Sequence, residues 1–219
     1  YYNKADKFFF THQEVLEFHQ NKFHIENSKL KIGHPIFEIL KENILLSNEY
    51  NYSRLPINIG YFGIFTDKIR EPSNYINNIS SKLGEEFHHY WYINEESKKY
   101  FTTFANLNNH FFEQLIPREE AIKKMINNFH ILLSIGNTNK NQLPSKVIEY
   151  ISLGKPVIHY AEISTDPMYR FEKLFTNLKI VNKETQLNDI NNYLKMFQNG
   201  TFDFSYKNFD ENFGSNAII

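Results

Sequence analysis

One stretch of the sequence combines residue types that suit a phosphorylated ligand: NQLPSKVIEYISLGKPVIHY, residues 141–160. Pro144 suits the first position of a helix, because proline has no N–H to leave unpaired there. The amides of Ser145, Lys146 and Val147 then have no partner within the helix, and such an end readily binds anions. Lys146 opposes the helix dipole by about 0.3–1 kcal/mol unless an anion joins it. We therefore expect a diphosphate beside Ser145 and Lys146.

Glu149 extends this candidate site along the same helix. It lies one turn beyond Ser145 and three residues beyond Lys146, so the three share a face. A carboxylate there could accept charge-assisted hydrogen bonds from a vicinal diol such as ribose. An ordinary surface pair between Lys146 and Glu149 is equally compatible with the spacing. Gly154 and the proline that follows it indicate a helix end.

Short apolar runs alternate with helical stretches along most of the chain. We predict strands at 57–65, 87–93, 110–114, 129–135, 156–160 and 177–181. The intervening helices are predicted at 71–83, 95–104, 117–128, 144–153, 166–175 and 185–197. This alternation predicts an α/β fold: a doubly wound, Rossmann-like parallel sheet of about six strands, in the order 3-2-1-4-5-6, with helices on both faces.

The predicted strand order also locates a binding crevice. In open parallel sheets, ligands bind beyond the carboxyl ends of the strands where the order reverses, which is here between the first and fourth strands. The loops that follow those strands, 63–72 and 136–146, are the richest in Gly, Thr, Asn, Lys and Arg. The candidate ligand-binding residues of these loops are Gly63, Thr66, Lys68, Arg70, Asn137, Thr138 and Asn141. Taken alone, Lys68 and Arg70 are more simply explained as solvated surface charges.

Composition restricts the class of protein. The chain has 219 residues, of which 41% are hydrophobic and 16% aromatic, so it can form a substantial core. A formal net charge of −1 argues against general nucleic-acid binding, which needs a strongly basic face. With no cysteine, disulfides and cysteine-ligated zinc are excluded. The histidines show no metal-ligand spacing. We expect a cytoplasmic enzyme or binding domain, with peripheral membrane contact left open.

Three segments are predicted along the chain. We interpret residues 1–48, which include a strand–helix unit and a second short strand, as the tail of a preceding domain. A polar linker at 47–56 ends in a proline and leads into the Rossmann-like domain at 49–200. Residues 201–219 are expected to add a last helix that packs on the outside.

The segment 143–158, LPSKVIEYISLGKPVI, resembles the nucleotide-sugar-binding signature of GT-B glycosyltransferases, specifically the retaining, family-4-like group. Residues 59–76, IGYFGIFTDKIREPSNYI, are similar to the first strand and loop of the same domain. Residues 5–18, ADKFFFTHQEVLEF, resemble the strand and helix that close the amino-terminal half of these enzymes. The resemblance implies that the chain is the carboxyl-terminal, donor-binding half of a GT-B fold.

The resemblance also implies roles for particular residues. Glu149 would hold the ribose hydroxyls of a nucleoside diphosphate, and Ser145 and Lys146 would cradle the diphosphate. Arg70, together with Lys68, would neutralise charge on the leaving phosphates. Leu115 and Ile116 match the stretch that borders the base.

Two positions depart from the family pattern. Asn141 stands where the first glutamate of the Glu-x7-Glu motif is expected, so it offers hydrogen bonds but no negative charge. Ile64 stands where an arginine often follows the strand-1 glycine, which leaves phosphate neutralisation to Arg70, Lys68 and Lys146.

The function implied is transfer of a sugar from a nucleoside diphosphate sugar, such as a UDP-sugar, to an acceptor hydroxyl with retention and without metal or cofactor. The acceptor, a glycan or lipid-linked glycan in polysaccharide biosynthesis, would bind the amino-terminal half. Two alternatives remain: a nucleotide-sugar epimerase of the same fold, which would need acid and base residues in the cleft, and a non-catalytic nucleotide-sugar-binding subunit.

Overall fold

The computed structural model of the chain describes residues 5–11, 13–33, 55–198 and 206–213. The predicted linker at 47–56 lies almost entirely outside these residues, as do part of the segment predicted at 1–48 and most of the tail predicted at 201–219.

A small unit comes first. Strand β1 (Phe8–Phe10), helix α1 (Gln13–Phe23) and strand β2 (Leu30–Ile32) follow one another, and the two strands pair in parallel. Phe10, Leu16 and Ile25 form its buried centre. The strand–helix unit and the second short strand are therefore present as predicted, while their assignment to a preceding domain stays a prediction.

The main sheet has six parallel strands: β3 (Ile57–Phe62), β4 (Phe87–Ile93), β5 (His110–Gln114), β6 (Ile131–Ile135), β7 (Val157–Tyr160) and β8 (Leu178–Val181). Their spatial order is β5-β4-β3-β6-β7-β8, which confirms the predicted 3-2-1-4-5-6 arrangement. The first of them ends at Phe62, three residues before the predicted end. The reversal of order lies between β3 and β6, as expected.

The helices of this part are α2 (Ser73–Asn78), α3 (Arg118–Asn128), α4 (Ser145–Ser152), α5 (Tyr169–Glu172), α6 (Leu187–Gln198) and α7 (Tyr206–Phe213). The α-helix predicted at 95–104 is instead a shorter 3-10 helix, Glu95–Phe101, so the predicted helix type was wrong. Asn94 begins that helix by accepting a hydrogen bond from the Ser97 amide at 3.2 Å. The helix predicted at 71–83 is interrupted after Asn78, where the Ser81 hydroxyl bonds the carbonyl of Asn77 at 2.8 Å.

Two buried clusters flank the sheet, which confirms that helices cover both faces. One contains Met125 of α3 and Val147 of α4 together with Phe209 and Phe213 of α7. The other contains Tyr75 of α2, Trp91 of β4 and Leu194 of α6. The predicted last helix is thus present in α7, and its two phenylalanines anchor it to the first cluster.

A lysine is buried where α4 turns into β7. Gly154 ends the helix with φ 68°, as its sequence context predicted, and its amide bonds the carbonyl of Ile151 at 3.0 Å. Lys155 follows, is fully buried, and donates from Nζ to the carbonyl of Phe129 at 2.6 Å. Burial lowers the pKa of Lys155 from 10.5 to about 7, because the charged form loses its hydration.

This burial predicts a specific pH dependence of stability. Between about pH 7 and 10.5 the unfolded chain keeps a proton that the folded chain has released, so the free energy of unfolding rises with pH in this window. The slope contributed by Lys155 is at most about 1.4 kcal/mol per pH unit. Lys155→Met should remove this component, which urea denaturation from pH 6.5 to 10 would measure. The exposed Lys123, changed to Met, is the matched control. A difference between wild type and Lys155→Met that does not vary with pH would contradict the prediction.

Candidate functional site

The crevice opens because β3 continues beyond its pairing with β6. The two strands are in register at Ile59 with Ile131 and at Gly60 with Leu132. The backbone N–H and C=O of Phe62 face the β6 side of β3, as those of Gly60 do, because alternate residues of a strand direct these groups to the same neighbouring strand. Its N–H donates to the Tyr150 hydroxyl at 3.3 Å, and its carbonyl accepts from that hydroxyl at 3.2 Å. The Tyr150 side chain of α4 therefore provides the hydrogen bonds that the neighbouring strand β6 would otherwise make.

The resulting cleft has a volume of about 350 Å³, within the usual range for small-molecule sites. Its walls are the end of β3, the end of β6, the loop at Arg70 and the start of α4. Five of the sequence-predicted site residues line it: Gly63, Arg70, Leu115, Ser145 and Lys146. The structure thus brings together the cations and the helix end that the sequence suggested.

The start of α4 differs in detail from the sequence prediction. Pro144 is the cap residue rather than the first helical residue, because its ψ of 101° is not helical. Its carbonyl accepts a hydrogen bond from the Val147 amide at 3.2 Å, so that amide is paired, contrary to expectation. In the part of the chain that the structure describes, nothing accepts a hydrogen bond from the amides of Ser145 or Lys146. Ser145 is exposed in the cleft wall.

Lys146 lines the cleft, and its ammonium donates to the Phe62 carbonyl at 2.8 Å. The residue as a whole is exposed, but its ammonium end is desolvated against the strand. This desolvation lowers the pKa of Lys146; the nearby Glu149 opposes the shift and Arg70 adds to it. An ammonium has three N–H donors, so two remain for a ligand.

Glu149 is paired with an arginine that the sequence analysis missed. Arg118, at the start of α3, donates from Nε at 2.8 Å and from Nη2 at 2.6 Å, both to Oε1 of Glu149. The alternative of a Lys146–Glu149 surface pair was therefore wrong. Arg118 is mostly exposed, so the pair contributes little stability, but it fixes the direction of the carboxylate. Its position just after the carboxyl end of the third predicted strand was the available signal.

Arg70 is held by Asn137 across the two loops. Oδ1 of Asn137 accepts from Nε of Arg70 at 3.1 Å and from Nη2 at 2.9 Å. Nδ2 of Asn137 donates to the carbonyl of Gln142 at 3.1 Å. Asn137 is only 2% exposed, so it positions Arg70 and its own loop, whereas the sequence analysis expected it to contact the ligand. Beside Arg70, burial raises the pKa of Tyr61 to about 12, an effect that the guanidinium opposes.

The other predicted loop residues join the two loops to each other. Thr66 and Arg70 exchange backbone hydrogen bonds of 2.9 Å, which close a tight turn in which Lys68 has φ 62°. The Thr138 hydroxyl donates to the carbonyl of Lys68 at 2.5 Å. Asn141 is exposed in the following turn. Several predicted site residues stand outside the cleft wall: Thr66, Lys68, Thr138, Asn141, Glu149 and the partly buried Ile116.

A buried network of polar side chains reaches the cleft at Ser134. His159 is bonded through Nδ1 to the hydroxyl of Ser134 at 3.0 Å and through Nε2 to Oδ2 of Asp166 at 3.2 Å. Oδ1 of Asp166 accepts from the Met168 amide at 2.8 Å. A Cβ on Gly136 would lie 2.4 Å from Oδ2 of Asp166, so any other residue at position 136 would clash with this carboxylate. The sequence analysis missed this network, because the spacing of Ser134, His159 and Asp166 in the sequence matches no known motif.

No group of three or more His, Asp and Glu side chains that could hold a metal ion occurs in residues 5–11, 13–33, 55–198 and 206–213. None of the helices within these ranges is long and apolar enough to cross a membrane.

Comparison with known proteins gives structural neighbours. No protein-family model matches the chain, and no curated protein matches it. The lipopolysaccharide outer core galactosyltransferase WaaB is 13% identical, with 96% of this chain and 58% of WaaB covered at a TM-score of 0.66. HepE from Anabaena, solved in complex with UDP and glucose, is 11% identical, with 98% and 61% covered at 0.64. Sucrose-phosphate synthase from Thermosynechococcus elongatus is 10% identical, with 98% and 56% covered at 0.59.

These neighbours are GT-B glycosyltransferases, which confirms the fold that the sequence resemblance implied. At such low identities the likeness establishes the fold alone. The chain spans a little more than half of the length of each neighbour.

The contacts of Asn137 lead to a paired prediction. Asn137→Ala removes three hydrogen bonds from a buried position and should lower the free energy of unfolding by about 1–3 kcal/mol. Asn141→Ala, in the same loop but exposed, should change it by less than about 0.5 kcal/mol. Urea denaturation measures both changes. In NMR spectra, the Nε–H proton of Arg70 should also exchange faster in Asn137→Ala. Equal effects of the two substitutions would refute the positioning role.

Proposed function

We propose that this chain is the donor-binding half of a glycosyltransferase that transfers a sugar from a nucleoside diphosphate sugar to an acceptor hydroxyl with retention. One observation carries the proposal: two unpaired helix amides and two cations meet in one cleft at the switch point of the sheet. Negative charge is what such a cleft accommodates best. The neighbour HepE, which was solved with UDP and glucose, supports a nucleotide as the ligand.

The chemistry assigned to these groups is stabilisation of the leaving diphosphate. As the bond between the anomeric carbon and the phosphate oxygen breaks, its electron pair stays with the diphosphate. The acceptor oxygen bonds to the same face of the sugar, and its proton is released to the diphosphate or to solvent. Lys146, Arg70 and the amides of Ser145 and Lys146 are already in position before this charge develops. One preorganised donor of this kind contributes about 3–4 kcal/mol to catalysis.

The nucleoside is assigned to the surface that Leu115 and Glu149 provide. Leu115 lies in the cleft wall and is 43% exposed, so it offers an apolar surface for the base. Glu149 lies on α4 one turn beyond Ser145, where its carboxylate would accept from the ribose hydroxyls. Arg118 holds that carboxylate in place.

The cleft lacks the acid and base residues that the epimerase alternative would need. Epimerisation needs a general acid and a general base beside the sugar. Among the described residues that line the cleft there is no carboxylate and no histidine, and Glu149, which stands outside the lining, is paired with Arg118. Tyr61 and Tyr150 are buried, and burial raises the pKa of both, so neither phenol is suited to act as a base at neutral pH.

Calorimetry on a panel of UDP-, GDP- and ADP-sugars tests the proposal. At least one donor should bind, and Lys146→Ala should weaken it about 10- to 100-fold, because a charge-assisted hydrogen bond is lost. Glu149→Ala should weaken the same donor about tenfold. Titrations in EDTA should give the same affinities, since the positive charges come from the chain.

The exposed Lys123 of α3, changed to Ala, is the control for Lys146 and should leave the affinity unchanged. Unchanged affinity in both Lys146→Ala and Glu149→Ala would remove the site assignment. Loss of binding in EDTA would overturn metal-independent binding.

A further inference from the structure

A second pocket lies at the same edge of the sheet as the candidate donor cleft. It has a volume of about 390 Å³ and is formed by the carboxyl ends of β7 and β8 against α2. None of the residues that line it lines the donor cleft. Its inner polar wall consists of three amides, two phenols and a carboxylate: Asn74, Asn78, Asn182, Tyr160, Tyr169 and Glu162. The exposed Ser164, Lys183 and Glu184 complete the polar lining.

The wall is organised by hydrogen bonds between separate elements. Nδ2 of Asn74, on α2, donates to Oε2 of Glu162 at 2.8 Å. Nδ2 of Asn78, one turn further along α2, donates to the hydroxyl of Tyr160 at 3.0 Å. The pocket is therefore preorganised between α2 and the end of β7.

The third amide repeats the pattern on the other side of the pocket. Nδ2 of Asn182, just after β8, donates to the hydroxyl of Tyr169 at 3.1 Å. Oδ1 of Asn182 accepts from the Glu184 amide at 2.8 Å, so this asparagine is fixed at both ends. Each of the two phenols thus receives an amide proton, and each keeps its own O–H proton to donate.

The remaining hydrogen-bonding capacity of the wall is mixed. The phenolic protons of Tyr160 and Tyr169 have no acceptor among the residues that the structure describes. On the acceptor side, no described residue donates to Oδ1 of Asn74 or Asn78. Oε1 of Glu162 is buried and likewise has no partner within the described ranges. The wall therefore offers free donors and free acceptors within one concave surface.

This mixture discriminates between classes of ligand. The lining carries two carboxylates, Glu162 and Glu184, and one ammonium, Lys183, and Glu71 and Asp166 add negative charge near Glu162. The net charge around the pocket is therefore negative and disfavours an anion. An ammonium would satisfy the acceptors but would leave the protons of both phenols without an acceptor. A hydroxyl group is both donor and acceptor, so several hydroxyls on one ring match both sets. Aromatic rings in the wall also provide apolar area for the C–H groups of such a ring.

We propose that the pocket formed by α2 and the ends of β7 and β8 binds an uncharged saccharide. The site is separate from the donor cleft and needs no nucleotide, so the inference goes beyond the proposed function. It stands whether or not that function is correct, because the two pockets share no lining residue.

An NMR titration tests the proposal with defined probes. Methyl glycosides of glucose, galactose and mannose are added to the ¹⁵N-labelled chain, and glucosamine and glucuronate provide the cationic and anionic comparisons. At least one uncharged glycoside should shift the amides of Glu162, Ser164 and Asn182 and leave those of Gly63 and Ser145 in place. Absence of these shifts with all three glycosides at 100 mM, or a larger response to glucosamine or glucuronate, would overturn the proposal.

Substitutions then locate the binding. Tyr169→Phe removes one phenolic proton and should weaken the glycoside about three- to tenfold, the equivalent of one hydrogen bond. Tyr90→Phe removes the same group from a half-buried residue of β4 outside both pockets and should have no effect. Glu162→Gln should weaken binding to a similar extent, with thermal melts confirming that each variant is folded. If Tyr169→Phe and Glu162→Gln both bind like wild type, the site assignment is wrong. Lys146→Ala should bind the glycoside normally, which separates this test from that of the donor cleft.

Discussion

The hydrogen bonds of the Phe62 backbone determine the shape of the candidate site. Buried backbone groups must find partners, and β6, the strand on this side of β3, is no longer paired with it beyond Gly60. The partners come instead from Tyr150 and Lys146 of α4. These bonds require the first turns of α4 to lie directly against the end of β3. The cleft, the open helix amides and the desolvated ammonium therefore all follow from one unpaired stretch of strand.

The same geometry concentrates positive charge. Lys146 is held by a carbonyl, and Arg70 is held by the buried amide of Asn137, so neither cation has a carboxylate as its hydrogen-bonding partner in the described contacts. Desolvation lowers the pKa of the Lys146 ammonium, and the charge of Arg70 adds to this shift. The positive end of the helix dipole also disfavours a cation at this position. Glu149 offsets this only in part, because Arg118 shares its carboxylate. An anion bound between these groups would relieve the remaining repulsion, which is the physical basis for assigning a diphosphate.

Sequence periodicity was sufficient to predict the sheet and the location of the crevice. Alternating apolar runs and helices specify a doubly wound sheet, and its handedness leaves few strand orders. The start of α4 at Pro-Ser-Lys could also be predicted, because helix ends are marked by local sequence signals. The hydrogen bonds that position the site residues could not be predicted from the sequence. The bond between Arg70 and Asn137 joins residues 67 positions apart, and that between Arg118 and Glu149 joins residues 31 apart. The sequence therefore predicted a ligand contact for Asn137 but not its hydrogen bonds to Arg70 and to the carbonyl of Gln142.

An NMR titration with UDP and with uridine tests most directly whether the crevice between β3 and β6 holds a pyrophosphate. We expect UDP to produce large downfield shifts of the Ser145 and Lys146 amide protons, because these amides gain a charged acceptor. Uridine, which lacks the phosphates, should leave both amides nearly unshifted. Equal shifts with the two ligands, or UDP-dependent shifts confined to residues away from the start of α4, would contradict this assignment.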